Sequence, residues 1–281
     1  MKPFWTFLVL IGCFEAVKLS PCAEIGHSSE IFRNDPMACA VLDLDQGNFT
    51  HVNSSAFGED QENLELINAI LWQFGSDQFE MLPASIKYLT ISYGNVSEVF
   101  FVSEKLISLA VLESNLESFV VMNQNNSELK SLTLRSRLLN EVPSELGYLQ
   151  SLEVLRLSNC NLSSVNADSF LMLVNLTFLD LSDNRIVSFE IVPTAKFLRL
   201  KELQIEENEL TEIDHFPEAF PKLKTLSLFD NRWFCDWVGK VRRKIWKANI
   251  VVYGSNAQCA ATGGLCCVKR SKQEVIEPLK L

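Results

Sequence analysis

Histidine is the scarcest chemical resource of this chain. Only His27, His51 and His215 occur in 281 residues, and none stands in a ligating pattern such as H-E-x-x-H. That removes the usual histidine-zinc site of hydrolases. No G-x-S-x-G and no glycine-rich phosphate loop occurs either, so nucleophilic and nucleotide-dependent catalysis have no machinery in view. His215 reads as a surface residue of a loop. The expectation is a protein that is not an enzyme, with no catalytic residue, no metal and no cofactor. Beyond the first twenty residues no run of 18 apolar residues exists, so no membrane span is expected. Basic residues are sparse over most of the chain. From Pro21 to Asn231 there are 13 against 31 acidic ones, a net of −18. Such a body repels phosphate, which argues against nucleic acid as a partner.

Leucine, by contrast, recurs on a strict schedule. Segments starting at Leu129, Leu152, Leu176, Leu200 and Leu223 repeat L-x-x-L-x-L-x-x-[N/C]-x-L with starts 23, 24, 24 and 23 residues apart. This is the leucine-rich repeat pattern. Alternation in the Leu-x-Leu core makes a short strand with the leucines pointing inward. Parallel stacking of these strands predicts an α/β leucine-rich repeat solenoid, a horseshoe with a parallel concave sheet. The ninth position holds Asn184, Asn208 and Asn231, whose amides can satisfy backbone groups of the turn. Cys160 fills the same slot as a buried, reduced thiol. Weaker repeats precede these: Leu106, Leu109, Val111 and Leu116; Ile86, Leu89, Ile91 and Val96; and a degenerate unit at Leu64, Leu66 and Ile70. The predicted layout is a leader at 1–20, an N-terminal cap at 21–63, seven repeats plus one degenerate at 64–233, a cysteine-rich cap at 234–270 and a tail at 271–281. In the second cap, Asp236 is placed to N-cap a helix running to about Lys247, with Trp237, Val241, Ile245 and Ala248 near one face.

The leader reads as a secretory signal: Lys2 supplies the charge and Phe4 to Phe14 an apolar core too short to span a bilayer. The tail after Glu274 lacks the apolar stretch of a lipid-anchor signal. The expectation is a secreted, extracellular glycoprotein. Asn48, Asn53, Asn95, Asn125, Asn161 and Asn175 begin acceptor triplets, with Asn48, Asn53 and Asn125 in the most polar stretches and Asn161 least suited. The cysteines fit a disulfide-permissive compartment. Cys22 and Cys39 would close the N-terminal cap. Cys235, Cys259, Cys266 and Cys267 can pair internally in three ways, or one of the adjacent pair can bond another chain. The spacing of these four suits no usual zinc motif.

Alternation also assigns the concave face. Its outward residues are Tyr88, Thr90, Tyr93, Ser108 and Ala110, then Ser131, Thr133, Arg135, Val154 and Arg156, then Phe178, Asp180, Asp183, Glu202, Gln204, Glu206, Glu207, Phe229 and Asp230. The binding face is expected from Tyr88, Tyr93, Arg135, Arg156, Phe178, Asp180, Asp183, Glu202, Glu206, Glu207, Phe229 and Asp230. Asp180, Glu202 and Glu206 would crowd like charges, which favours a basic ligand. The opposite holds past the repeats. From Arg232 to Lys272 there are 9 basic residues and 1 acidic, a net of +8. That basic group, Lys240, Arg242, Arg243, Lys244, Lys247, Lys269, Arg270 and Lys272, is either a solvated helix face or a docking site for something anionic.

An Asn-slot residue followed four positions on by Cys235, then a helical segment, Cys259 and the Cys266-Cys267 pair, resembles the C-terminal motif of the mosquito leucine-rich repeat immune proteins. The likeness extends over roughly residues 22 to 270. Long members carry a coiled coil after the double cysteine; here 14 residues follow it with no heptads, so the chain resembles the short, coil-less subgroup. The resemblance implies an innate immune recognition or scaffold protein, a thioester-containing, complement-like protein as partner, and a disulfide-linked dimer through Cys266 or Cys267. Two other roles suit the same fold: an extracellular-matrix or developmental ligand-binding protein, and a secreted inhibitor that covers a basic enzyme rim with its acidic strip.

Overall fold

Ten short parallel strands form one curved sheet along the molecule. The computed structural model describes residues 38–42, 44–45, 49, 61–123, 126–256, 259 and 265–270. The sheet runs in the order β1 (Ala38–Leu42), β2 (Asn63–Ile67), β4 (Tyr88–Ser92), β6 (Ser108–Leu112), β8 (Ser131–Arg135), β9 (Val154–Arg156), β11 (Phe178–Asp180), β13 (Glu202–Gln204), β14 (Thr225–Ser227) and β15 (Val251–Tyr253). Register is uniform: Leu64, Leu89, Leu109, Leu132, Leu155, Leu179, Leu203 and Leu226 stand side by side. All eight are buried, as alternation requires. In the first unit Ile70 is not core. It is 61% exposed, and its neighbours Ala69 and Leu71 are buried instead.

The convex side carries structure that the repeat pattern does not announce. β3 (Ile70–Phe74), β5 (Asn95–Phe101) and β7 (Ser118–Val121) pair into a second parallel sheet, and β10 (Ser164–Asn166) pairs with β12 (Ser188–Glu190). Between the layers Phe49, Phe74, Phe79, Phe101 and Phe119 make successive ring contacts with centroids 4.7 to 6.1 Å apart. These phenylalanines fill the interior between the two sheets, where smaller side chains would leave voids.

The asparagine slot works as a bracket between repeats. Asn208 Oδ1 accepts from Ile186 N at 2.9 Å, and its Nδ2 donates to Leu181 O, Ile205 O and Glu206 O. Asn184 and Asn231 repeat the arrangement on Leu162 N and Leu210 N. Cys160 departs from it. Its Sγ approaches Leu134 O at 3.5 Å but is no acceptor for Leu139 N, which bonds Ser136 O in its own turn. There Arg137 holds the slot and stays exposed, and Ser136, one position earlier, is buried and donates to Leu116 O. Burial pushes the Cys160 thiol up to about 11, so it is an inert, reduced cysteine. The residue before the slot is left-handed in seven repeats: Asn68, Tyr93, Glu113, Asn159, Asp183, Glu207 and Asp230 have φ between 50° and 59°.

The solenoid ends in α2 (Cys235–Lys247), which follows the short α1 (Ser76–Met81) of the convex side. The N-cap of α2 is Phe234, with no side-chain cap bond, and Asp236 lies in the first turn. Trp237, Val238, Val241 and Ile245 are its buried face, while Ala248 is exposed. Trp233 and Trp237 stack at 4.4 Å over the last repeat, each indole N–H donating to a carbonyl, Leu228 O and Ile213 O. Two bridges staple the cap: Cys235–Cys267 and Cys259–Cys266, with Cα atoms 4.9 and 5.2 Å apart. Arg270 adds a clamp. It lies 4.3 Å over the Phe234 ring and pairs with Asp236 and Glu212. The expected pairing of Cys22 with Cys39 lies outside the described residues. Among the described residues no helix is long and apolar enough to cross a membrane.

Candidate functional site

The concave sheet presents its side chains in rows, because strands about 4.8 Å apart share one register. The C-terminal half concentrates the chemistry. Phe178 on β11 lies between Val154 and Glu202, and Asp180 between Arg156 and Gln204. The Arg156 guanidinium stacks over the Phe178 ring at 4.5 Å, which fixes a cation and an aromatic face together. Asp180 does not project as its strand position suggests. It is 7% exposed and accepts from both the backbone N and the hydroxyl of Ser182. The expected crowding is also redistributed. Glu202 faces Phe178 and Thr225 rather than Asp180, and accepts a bond from Gln204 at 2.9 Å.

One step along, a concave cavity of about 280 Å³ opens between β13, β14 and the cap. Glu202, Gln204, Glu206, Ser227, Phe229 and Tyr253 are among the residues that line it. Glu206 is half-buried there, and its Oε2 has no hydrogen-bond partner among the described residues. Burial raises its carboxyl above the ordinary range. Bonds from its own backbone and from Ser227 oppose the rise, while the charges of Asp180 and Glu207 add to it. The cap shapes this cavity directly. Gly254 has φ +73°, and a Cβ there would sit 2.2 Å from Phe229 Cδ1, so only glycine lets the ring lie flat. Asn256 holds the rim through Asp230, donating to its carboxylate and accepting from its backbone N.

The other expected face residues lie around this centre or away from it. Asp183, Glu207 and Asp230 are exposed at the left-handed turns that edge the sheet. Tyr88, Tyr93 and Arg135 sit on or beside β4 and β8, in the N-terminal half and apart from the cavity. Thr90 and Ala110, read as outward, are buried. Sequence reading missed Tyr253 and Gly254, because β15 belongs to the cap and carries no leucine pattern; the Val-Val-Tyr-Gly run was the available sign. Of the glycosylation triplets, Asn48, Asn53 and Asn125 lie outside the described residues. Asn95 is exposed and Asn161 half-buried, while the Asn175 amide donates to Gln150 O and accepts from Arg199. No three His, Cys, Asp or Glu side chains converge on a metal position among the described residues.

Compared with known proteins, the chain matches the leucine rich repeat family model over residues 127–186. No curated protein matches it. Solved structures share its fold. The leucine-rich repeat domain of APL1B is 21% identical with a TM-score of 0.58, covering 77% of this chain and 67% of that one. Human 5T4, also titled Wnt-activated inhibitory factor 1 or trophoblast glycoprotein, is 22% identical with a TM-score of 0.59, covering 83% and 88%. At these identities the likeness is one of fold. The fold is a leucine-rich repeat solenoid, an architecture that binds proteins across its concave sheet.

Proposed function

We propose that this chain is a secreted recognition protein that seats a basic side chain of a protein partner in the cavity between Glu206, Glu202, Phe229 and Tyr253. The observation that carries the reading is the Glu206 carboxyl, half-buried, raised by burial, and with an Oε2 that has no hydrogen-bond partner among the described residues. A lysine or arginine delivered by a partner relieves that penalty, and the two rings add cation-π walls. Such anchors at the centre of an interface dominate binding.

The biological setting we favour is innate immunity, with a thioester-containing, complement-like protein as partner. The cap motif and the shared fold with the APL1B domain support it. The expected disulfide-linked dimer has less support, because Cys266 and Cys267 are each bonded within the chain. Function then rests on the concave face of a monomer, and a reducible dimer on non-reducing electrophoresis would reverse that conclusion.

The test is Glu202→Gln with Glu206→Gln, assayed against a purified thioester-containing protein. We expect affinity to fall about tenfold or more, the scale of a lost buried charge pair at about 2 kcal/mol. Equal affinity in both forms would exclude this face. Inhibition of a secreted hydrolase with steep salt dependence would move the reading to an inhibitor, and retention on tissue matrix to a developmental ligand-binding role.

A further inference from the structure

The strongest unexplained surface lies at the other end of the charge scale, on α2. Its inner face is packed on the solenoid, and its outer face carries Lys240, Arg242, Arg243, Lys244 and Lys247. Among these cations stands Trp246, 78% exposed, the most exposed large apolar side chain of the described residues. It follows Arg242 by four positions and Arg243 by three, so the indole and the guanidinium groups share one helix face. An indole left in water forgoes the stabilisation that burial of its large apolar area supplies.

Beside α2 runs a groove of about 580 Å³. Its floor is apolar, made by Pro217, Phe220, Leu223 and Ile250, and Lys196, Lys244 and Lys247 stand around it. A second depression of about 300 Å³ continues from it between Lys240, Arg243, Lys244 and Lys247. Two anions stand nearby: Glu218 pairs with Lys244 at 2.8 Å, and Asp236 with Lys240 at 3.9 Å, both at exposed side chains. Cations therefore stand around an apolar slot, and Trp246 is exposed on the same helix, outside the slot's lining.

We infer that this face docks the protein onto an anionic lipid surface, with headgroup phosphates over Lys240, Arg243 and Lys247 and Trp246 entering the interfacial layer. The charge complementarity is direct. Nine basic residues against one acidic follow Asn231 up to Lys272, whereas the preceding body is strongly acidic. The apolar part selects among anions. A sulfated glycan has negative charge but nothing to fill the groove or cover the indole. A lipid surface offers both, and tryptophan prefers the boundary between headgroup and acyl chain. The acidic body faces away from that surface in this reading, so one end of the molecule adheres while the concave face stays open to a partner.

The experiment is co-sedimentation of the purified protein with vesicles of equal parts phosphatidylglycerol and phosphatidylcholine, beside pure phosphatidylcholine vesicles and a heparin column. Binding to the anionic vesicles alone is expected, falling steeply with salt. Arg243→Gln with Lys247→Gln should weaken it at least about tenfold, since each basic residue at such a surface is worth about 1 kcal/mol. A blue-shifted tryptophan emission should accompany binding and vanish in Trp246→Phe, which separates this indole from the exposed Trp72. All these side chains are exposed, and an unchanged circular dichroism spectrum controls for folding. Three results would overturn the proposal: no binding to anionic vesicles, binding that survives the double substitution, or binding without the Trp246 shift and equally competed by heparin. The last would assign the patch to a polyanionic glycan.

Discussion

Replacing Asn208 by alanine tests the bracket that joins the repeats. The side chain is 7% exposed and makes four bonds. Their loss is unequal. Leu181 O keeps Asn184, Ile205 O keeps Asn231, and Glu206 O still accepts from Asp183 N. Ile186 N–H is left with nothing. One orphaned buried donor costs about 1–3 kcal/mol, and the lost donations to carbonyls with another partner about 0.5–1 kcal/mol each. A total of about 2.5–6 kcal/mol is expected, a large part of the roughly 5–15 kcal/mol that hold a domain. Urea unfolding measures the sum. Amide hydrogen exchange locates it, because Ile186 should lose protection before its neighbours. Asn208→Cys should fall between asparagine and alanine, since a thiol can donate as Cys160 does but offers Ile186 no strong acceptor. Asn208→Asp restores that acceptor but turns a carboxylate toward three carbonyls, so its deficit should shrink as pH falls and the acid protonates. A loss below about 1 kcal/mol in the alanine variant, with Ile186 still protected, would refute the bracket as the source of turn stability.

Two further outcomes follow from single positions. Gly239 lies inside α2 with open space where a Cβ would go, so Gly239→Ala should stabilise by about 0.5–1 kcal/mol; a loss in thermal unfolding would mean the glycine is needed for contact. Glu206→Gln should stabilise the protein at neutral pH and make little difference in acid. The folded carboxyl is raised above the ordinary 4.5, so its neutral form is favoured by folding, and that contribution is lost as pH rises through the folded value. An equal effect of the substitution at both pH values would show that Glu206 is not desolvated in the way described.

Much of the concave layer was legible before any coordinates, for a simple reason. Alternation and a period of 23 or 24 residues from Leu129 on make each inward leucine there an independent vote for the same register. Asn184, Asn208 and Asn231 were legible because an amide two turns past the core has one use there. The failures share a cause too: they depend on neighbours distant in sequence. Asp180 looked exposed by alternation, but Ser182 turns its carboxylate back. Ser136 replaces Arg137 in the bracket because a guanidinium cannot enter the interior, and nothing in the period signals the shift. The strands β3, β5 and β7 were hidden in irregular return segments. Arg270 counted as one more surface charge until Glu212, far back in the chain, was found beside it. The cysteine pairing was one of three until the cap was folded.

The seven left-handed residues ahead of the slots set backbone preference against the charge of the rim. That conformation costs most residues about 1–2 kcal/mol; it costs glycine nothing, and asparagine and aspartate less than the rest. Three consecutive repeats keep acids there, Asp183, Glu207 and Asp230, where backbone preference favours Gly or Asn. A library randomised at these three codons and sorted for thermal survival alone should drift to Gly and Asn. Sorted for partner capture, it should retain the acids. The gap between the two consensus sequences would then read out, codon by codon, how much stability a negative rim costs.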